Sequence, residues 1–282
     1  VEDLTAEIFN YHVQGPVSKM VMEKVTGEDL TELAFLSFRD VTIAGRKVRN
    51  YRGGMSGEIG YELFGNSEDG SVIWSTVYEA GKECGLRQLG MRSIMLNHLQ
   101  AYFPTIWVDF IPAIIEGAEA LHRSPVDFGW AGLMDKTRDF PGKEILMEEM
   151  THPRTKCVTL ELNKEDCIEI MNSLSDPDHE PFEQMPLPVN TSDFSAACPQ
   201  YIPAFSTDHK MLGMVSNRGY SCQFRTFLAL AHLPIQYCKE GTDVLVLYGS
   251  EGKRQTMIRA KVTRTPDKED VRKQEGKNGN RV

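Results

Sequence analysis

The stretch YRGGMSGEIGYELFG carries glycines at 53, 54, 57, 60 and 65 and one carboxylate, Glu62, on the segment that leaves the loop. Backbone without side chains lets a flat ring lie against the chain, so a strand, a bare loop and a strand ending in Glu62 form a candidate ligand turn. Taken alone, Glu62 reads more readily as a solvated charge, since Glu is rarely buried unpaired. A phosphate cradle is excluded by context. That chemistry needs a helix N-terminus directly after the glycines, whereas the spacing here is GGxxGxxG and the next helical pattern starts only after Asn66. The second candidate is Arg92, one cation among apolar neighbours in LGMRSIMLNHLQAYF. Its plain alternatives are a helix cap or a pair with Glu58 or Asp109.

Other chemistries find little support. The cysteines at 84, 157, 167, 198, 222 and 238 are scattered, with no CxxC pair and no histidine at metal-ligand spacing, so no zinc site is expected and buried thiols in a reducing cytosol are. A net charge of −9 argues against nucleic-acid binding, which needs a surplus of Lys and Arg on one face. No run approaches the ~18 apolar residues of a membrane span, and a cytoplasmic location without membrane attachment is expected. The chain starts at Val1, and IFNYHVQGP reads as a strand entered almost at once, as if the sequence began inside a domain.

These candidates must be positioned by elements the pattern predicts. FNYHVQGP is a short strand. VSKMVMEKVTG is a helix with Val17, Met20, Val21 and Lys24 at helical spacing, ended by Gly27. FLSFRDVTIAGRKVRNYRGG alternates apolar and polar residues around an Ala44-Gly45 turn, a hairpin leading into the glycine loop. GYELFG is a further strand. SVIWSTVYEAGKECG is a helix with Val72, Ile73, Val77 and Ala80 on one face. Further on, SPVDFGWAGLMDKTRDFPGKEILMEEM reads as turn, short strand, charged turn and a helix opened near Pro141-Gly142. From RTKCVTLEL onward, short strands recur with Gly and Pro turns, the pattern of a small β-barrel or sandwich. Glu161 alternates there with Leu160 and Leu162. The tail DKEDVRKQEGKNGNRV is polar and expected to fray.

Several of these stretches, in order, resemble the aminomethyltransferase family, the glycine-cleavage T-proteins and their relatives: FNYHVQGP, GGMSGEIGYELFG, LGMRSIMLNHLQAYF, DFGWAGLMDKTRDFPGKEIL and LGMVSNRGYS with ALAHLP and GTDVLVLYG. DKTRDFPGKEIL is the most specific of them. VTIAGRKVRNYRGGMSG and EAGKECGL are more similar to the tetrahydrofolate-dependent O-demethylases of methoxylated aromatic acids such as vanillate and syringate. Met55 also stands where the T-protein usually has tyrosine.

The resemblance implies an α+β chain. Residues 1–152 would form the folate-binding region, an antiparallel sheet with helices that lacks its N-terminal part. Residues 153–266 would form a C-terminal β-barrel and 267–282 a polar tail, within a cloverleaf around a tetrahydrofolate channel. It implies that Glu62 reads the pterin, whose adjacent N–H and NH₂ groups suit a carboxylate acceptor, with the loop glycines allowing close approach. Gln14 and Met55 then lie near the folate, Arg92 holds a substrate or folate carboxylate, and Tyr102 and Trp107 wall the channel by position. Gln14 satisfying strand-end backbone groups, and Tyr102 and Trp107 as core, are the plain alternatives. The implied activity is methyl transfer from an aryl methyl ether to N5 of tetrahydrofolate. A T-protein-type transfer of a lipoyl-borne aminomethyl group, a folate-binding protein without transferase activity and a fragment of a flavin-fused oxidase are the alternatives. The expected partners are a small-molecule methyl or aminomethyl donor and an N-terminal segment that completes the site. Ile94 stands where the demethylases place a tyrosine, so the resemblance names no proton donor.

Overall fold

The computed structural model describes residues 2–185 and 201–273. It divides into two compact units, Val1–Leu89 with Glu269–Val282, and Gly90–Lys268. The boundary expected after residue 152 falls just ahead of the first barrel strand. The helix and loops from residue 90 onward pack with the barrel, α3 (Met91–Ala101) lying against β7 (Met211–Ser221) and β8 (Thr226–Pro234).

The first unit is a four-stranded antiparallel sheet in the order β1-β4-β3-β2, built from β1 (Ile8–Gln14), β2 (Phe38–Ile43), β3 (Arg46–Arg52) and β4 (Gly60–Asn66). Ala44 (φ 50°) and Gly45 (φ 75°) both turn through positive φ and join Ile43 to Arg46, the two-residue geometry whose twist matches the flanking strands. The period-2 pattern sends Val41, Ile43, Val48, Tyr61 and Leu63 to one face. There they bury against Val21 and Met22 of α1 (Ser18–Thr26) and Ile73 and Val77 of α2 (Gly70–Lys82). Gly27, at φ 70°, stops α1 and donates its N–H to the Glu23 carbonyl. The helix face differs from the one expected. Ser18, Val21 and Met22 point inward while Val17 and Met20 are exposed, because the Ser18 hydroxyl donates to the Ile59 carbonyl at 2.8 Å and fixes the roll of the first turn. Val72 is likewise exposed on α2.

The second unit is a closed barrel, β10-β5-β8-β7-β6-β9, with β5 (Thr155–Leu162), β6 (Ile202–Phe205), β9 (Asp243–Tyr248) and β10 (Thr256–Thr263) completing it. Closure removes free sheet edges. Val158, Leu160 and Leu162 fill the barrel interior. Cys157 on the opposite face is also buried, among Leu99, Phe128, Leu228 and Leu230, so β5 is covered on both sides where alternation alone predicts one. α5 (Lys164–Ser173) starts with Asn163 as its cap, the side chain accepting from the Asp166 N–H at 3.1 Å.

The short strand expected near DFGWAGL is a turn and a 3-10 segment, Trp130–Leu133, followed by α4 (Lys143–Thr151). Local bonds win there: the Asp127 carboxylate accepts from the Ser124 N–H, the Trp130 N–H donates to the Pro125 carbonyl, and Gly129 sits at φ 73°. Cys198 lies outside the described residues. No helix among them is long and apolar enough to cross a membrane.

Candidate functional site

In the first unit the glycine loop is closed at its base and held from several sides. The Gly53 N–H donates to the Gly60 carbonyl at 3.0 Å, and the Gly15 N–H to the Ile59 carbonyl at 2.9 Å. A side chain at Gly54 would stand 2.6 Å from the Glu58 carbonyl oxygen, and one at Gly60 2.5 Å from the Gly53 carbonyl oxygen. Those glycines are required by the approach of backbone to backbone. Gly57, at φ 76°, is required by its conformation.

Strand register decides what lies beside the loop. Gln14 pairs with Gly60, and Glu62 pairs with His12 on one side and Tyr51 on the other. Residues two apart share a face, so Gln14, His12, Glu62 and Tyr51 stand together on the sheet face opposite the two helices. Gln14 Oε1 faces the Met55 N–H at 3.4 Å, a long contact. Glu62, Gln14 and Met55 are all half-buried. Burial holds His12 below the usual histidine range, with the Glu62 charge and the Gly53 backbone pulling the other way. Burial also raises Tyr51, and Glu62 adds to that rise. His12 Nε2 is buried with no hydrogen-bond partner among the described residues, an unmatched polar atom across the strand from the carboxylate.

His12 and Tyr51 are neighbours of Glu62 that the sequence reading omitted. Each lies two residues from a loop-flanking position, Gln14 or Gly53, but only the pairing of the strands brings it beside Glu62.

In the second unit Arg92 is exposed in the first turn of α3. Tyr102 ends that helix at φ 50°, donates its hydroxyl to the Cys157 carbonyl at 3.0 Å and packs its ring beside Phe128 and Leu228. Burial, the first cause, lifts its phenol far above the ordinary range. Tyr102→Phe should therefore cost about 1 kcal/mol of stability, the usual net worth of one hydrogen bond, read from urea unfolding midpoints. Trp107 is partly exposed at φ 68°, its N–H on the Phe110 carbonyl at 2.8 Å.

Asp109, named above only as a possible partner for Arg92, is buried and bound elsewhere. It accepts from the Thr105 N–H at 2.8 Å, the Ser216 hydroxyl at 2.5 Å and the Asn217 N–H at 3.2 Å. β7 breaks register between Val215 and Arg218, so its ladder pauses there and the Asn217 N–H turns to Asp109. The Asn217 side-chain amide donates to the Met95 carbonyl at 3.1 Å and ties α3 to the same bulge. A carboxylate set between Val108 and Phe110-Ile111 is the sequence signal that could have marked it.

Residues 1–115 match the GCVT N-terminal domain. The chain is 28% identical to the sesamin methylene transferase of a Sinomonas species, over 94% of this chain and 66% of that protein. It is 28% identical to the syringate O-demethylase of a Sphingobium species, over 92% and 62%. An aminomethyltransferase of Halalkalibacterium halodurans is 37% identical over 53% of this chain and 40% of its own length. The glycine cleavage system aminomethyltransferase T of Bartonella henselae shares the fold, with a TM-score of 0.66 at 16% identity over 93% of this chain and 60% of that one. These relatives fall into the aminomethyltransferase family and O-demethylase grouping that the sequence motifs resemble. The chain spans about two thirds or less of their length.

Proposed function

We propose that this chain belongs to a tetrahydrofolate-dependent one-carbon transferase that moves a methyl group from a methoxylated aromatic or similar donor to tetrahydrofolate. The supporting observation is the row of Glu62 with His12 and Tyr51 beside a loop whose glycines cannot take side chains. The carboxylate accepts the adjacent N–H and NH₂ donors of a pterin in a charge-assisted pair, and the unmatched His12 nitrogen fits a polar heterocycle better than an apolar ligand. The residues present therefore fit the group. Gln14 and Met55 flank the loop and bound the ring.

In the transfer, the ether carbon–oxygen bond breaks as the bond from that methyl carbon to N5 forms. The phenolic oxygen takes up a proton and N5 releases one. Holding donor and acceptor in line supplies much of the rate, and a positioned acid supplies the proton. Ile94 cannot be that acid, so another group supplies the proton.

The two relatives aligned over more than nine-tenths of this chain carry names of methylene and O-methyl chemistry, which favours this donor class. The shorter match at 37% identity keeps aminomethyl transfer as the second reading. The test is incubation with tetrahydrofolate and a panel of methoxylated aromatic acids, following 5-methyltetrahydrofolate and the phenol together. Stoichiometric appearance of both supports the reading. Formation of 5,10-methylenetetrahydrofolate from an aminomethyl-lipoyl donor instead would replace it with the second.

A further inference from the structure

The end of the described chain returns to the glycine loop. After Lys268 it rejoins the first unit. The Val271 N–H donates to the Gly57 carbonyl at 2.9 Å, and Arg272 Nη1 donates to the Gly54 carbonyl at 2.9 Å across 218 positions of sequence. The guanidinium is itself fixed. Its Nε and Nη2 meet the two carboxylate oxygens of Asp270 at 2.8 Å each, and it lies over the Phe35 ring at 5.6 Å. From the other side buried Arg52 donates to the Leu33 carbonyl at 2.6 Å and to the Arg272 carbonyl at 3.3 Å. Residues expected to fray are instead bonded to two carbonyls of the loop that precedes Glu62.

We propose that Arg272 is a positioning residue that clamps the Gly54–Gly57 turn in its ligand-reading shape, so that the affinity of the Glu62 site depends on the C-terminal strap. The inference rests on the tetrahydrofolate reading above. A loop of glycines has many conformations open to it, and whatever orders it before binding removes that cost from the ligand's affinity. Loop carbonyls offer only acceptors, and a forked cation already held by Asp270 satisfies Gly54 without losing further side-chain freedom. The bonds from Val271 and Arg272 go to loop carbonyls, so their effect on chemistry passes through Glu62 and its neighbours.

The experiment compares the full chain with Arg272→Ala, Arg272→Lys and Asp270→Asn by amide hydrogen exchange at residues 53–60 and by titration with tetrahydrofolate. Arg272→Ala should speed exchange in that window while β2 and β3 keep their protection, and should weaken tetrahydrofolate binding about tenfold, equivalent to losing one charge-assisted bond. Arg272→Lys keeps the charge without the fork and should fall between parent and alanine. Asp270→Asn, which leaves the Gly54 contact in place, should do the same and serves if the alanine variant does not fold. Unchanged exchange at 53–60 would overturn the clamp. Faster exchange with unchanged affinity would overturn its role in positioning. A parent chain that fails to bind tetrahydrofolate sinks the functional reading alone, since exchange still decides the clamp.

Discussion

Gly213→Ala is expected to destabilise the barrel by about 3 kcal/mol, at the upper end of overpacking costs. A side-chain carbon at Gly213 would stand 2.0 Å from the His232 carbonyl oxygen and 3.2 Å from its carbon. Both belong to the backbone of β8, next to the Met214–His232 pair in the ladder. A flexible side chain would swing away; a ladder carbonyl cannot move without opening the seam between β7 and β8. That seam closes the barrel just before the bulge that holds Asp109, so one methyl group strains closure and bulge together. Chemical denaturation followed at the barrel should show the loss, and a variant within about 0.5 kcal/mol of the parent, the range of an ordinary surface change, would contradict it.

The second large effect concerns pH. Asp109 is fully enclosed, and burial pushes its carboxyl up to about 6 despite the bonds from Ser216, Thr105 and Asn217. A carboxyl raised on folding favours the protonated native state. Its contribution is fully present below the unfolded value near 4 and is lost as pH rises through the folded value near 6. A carboxyl raised from near 4 to about 6 on folding corresponds to about 3 kcal/mol. The stability of the parent minus that of Asp109→Asn should therefore grow by about that amount as pH falls from 7 to 4, because asparagine does not titrate. Paired unfolding midpoints across this range measure it. A flat difference would mean that Asp109 stays ionised at no cost.

What was legible in the sequence was local. Gly27 ends α1, Ala44-Gly45 turns the hairpin and the barrel strands follow period-2 patterns bounded by glycine and proline, all within a few residues of their cause. The glycine loop between two strands was legible for the same reason. What was not legible depends on register or on distant chain. His12 and Tyr51 become neighbours of Glu62 only once β1 and β3 are paired with β4. The face of α1 is set by a serine bonding to Ile59. Arg272 reaches Gly54 from the other end of the sequence, and composition alone made that tail look frayed. Nothing local announces the cluster of Leu99 and Phe128 that covers the second face of β5 at Cys157.

The central claim is that Glu62 reads a pterin. Its most direct test is anaerobic calorimetric titration of the 282-residue chain with tetrahydrofolate beside Glu62→Ala. Losing a charged acceptor costs about 1 to 3 kcal/mol, so the variant should bind between about fivefold and a hundredfold more weakly, with its unfolding midpoint unchanged. Equal dissociation constants for parent and variant would contradict the assignment of Glu62.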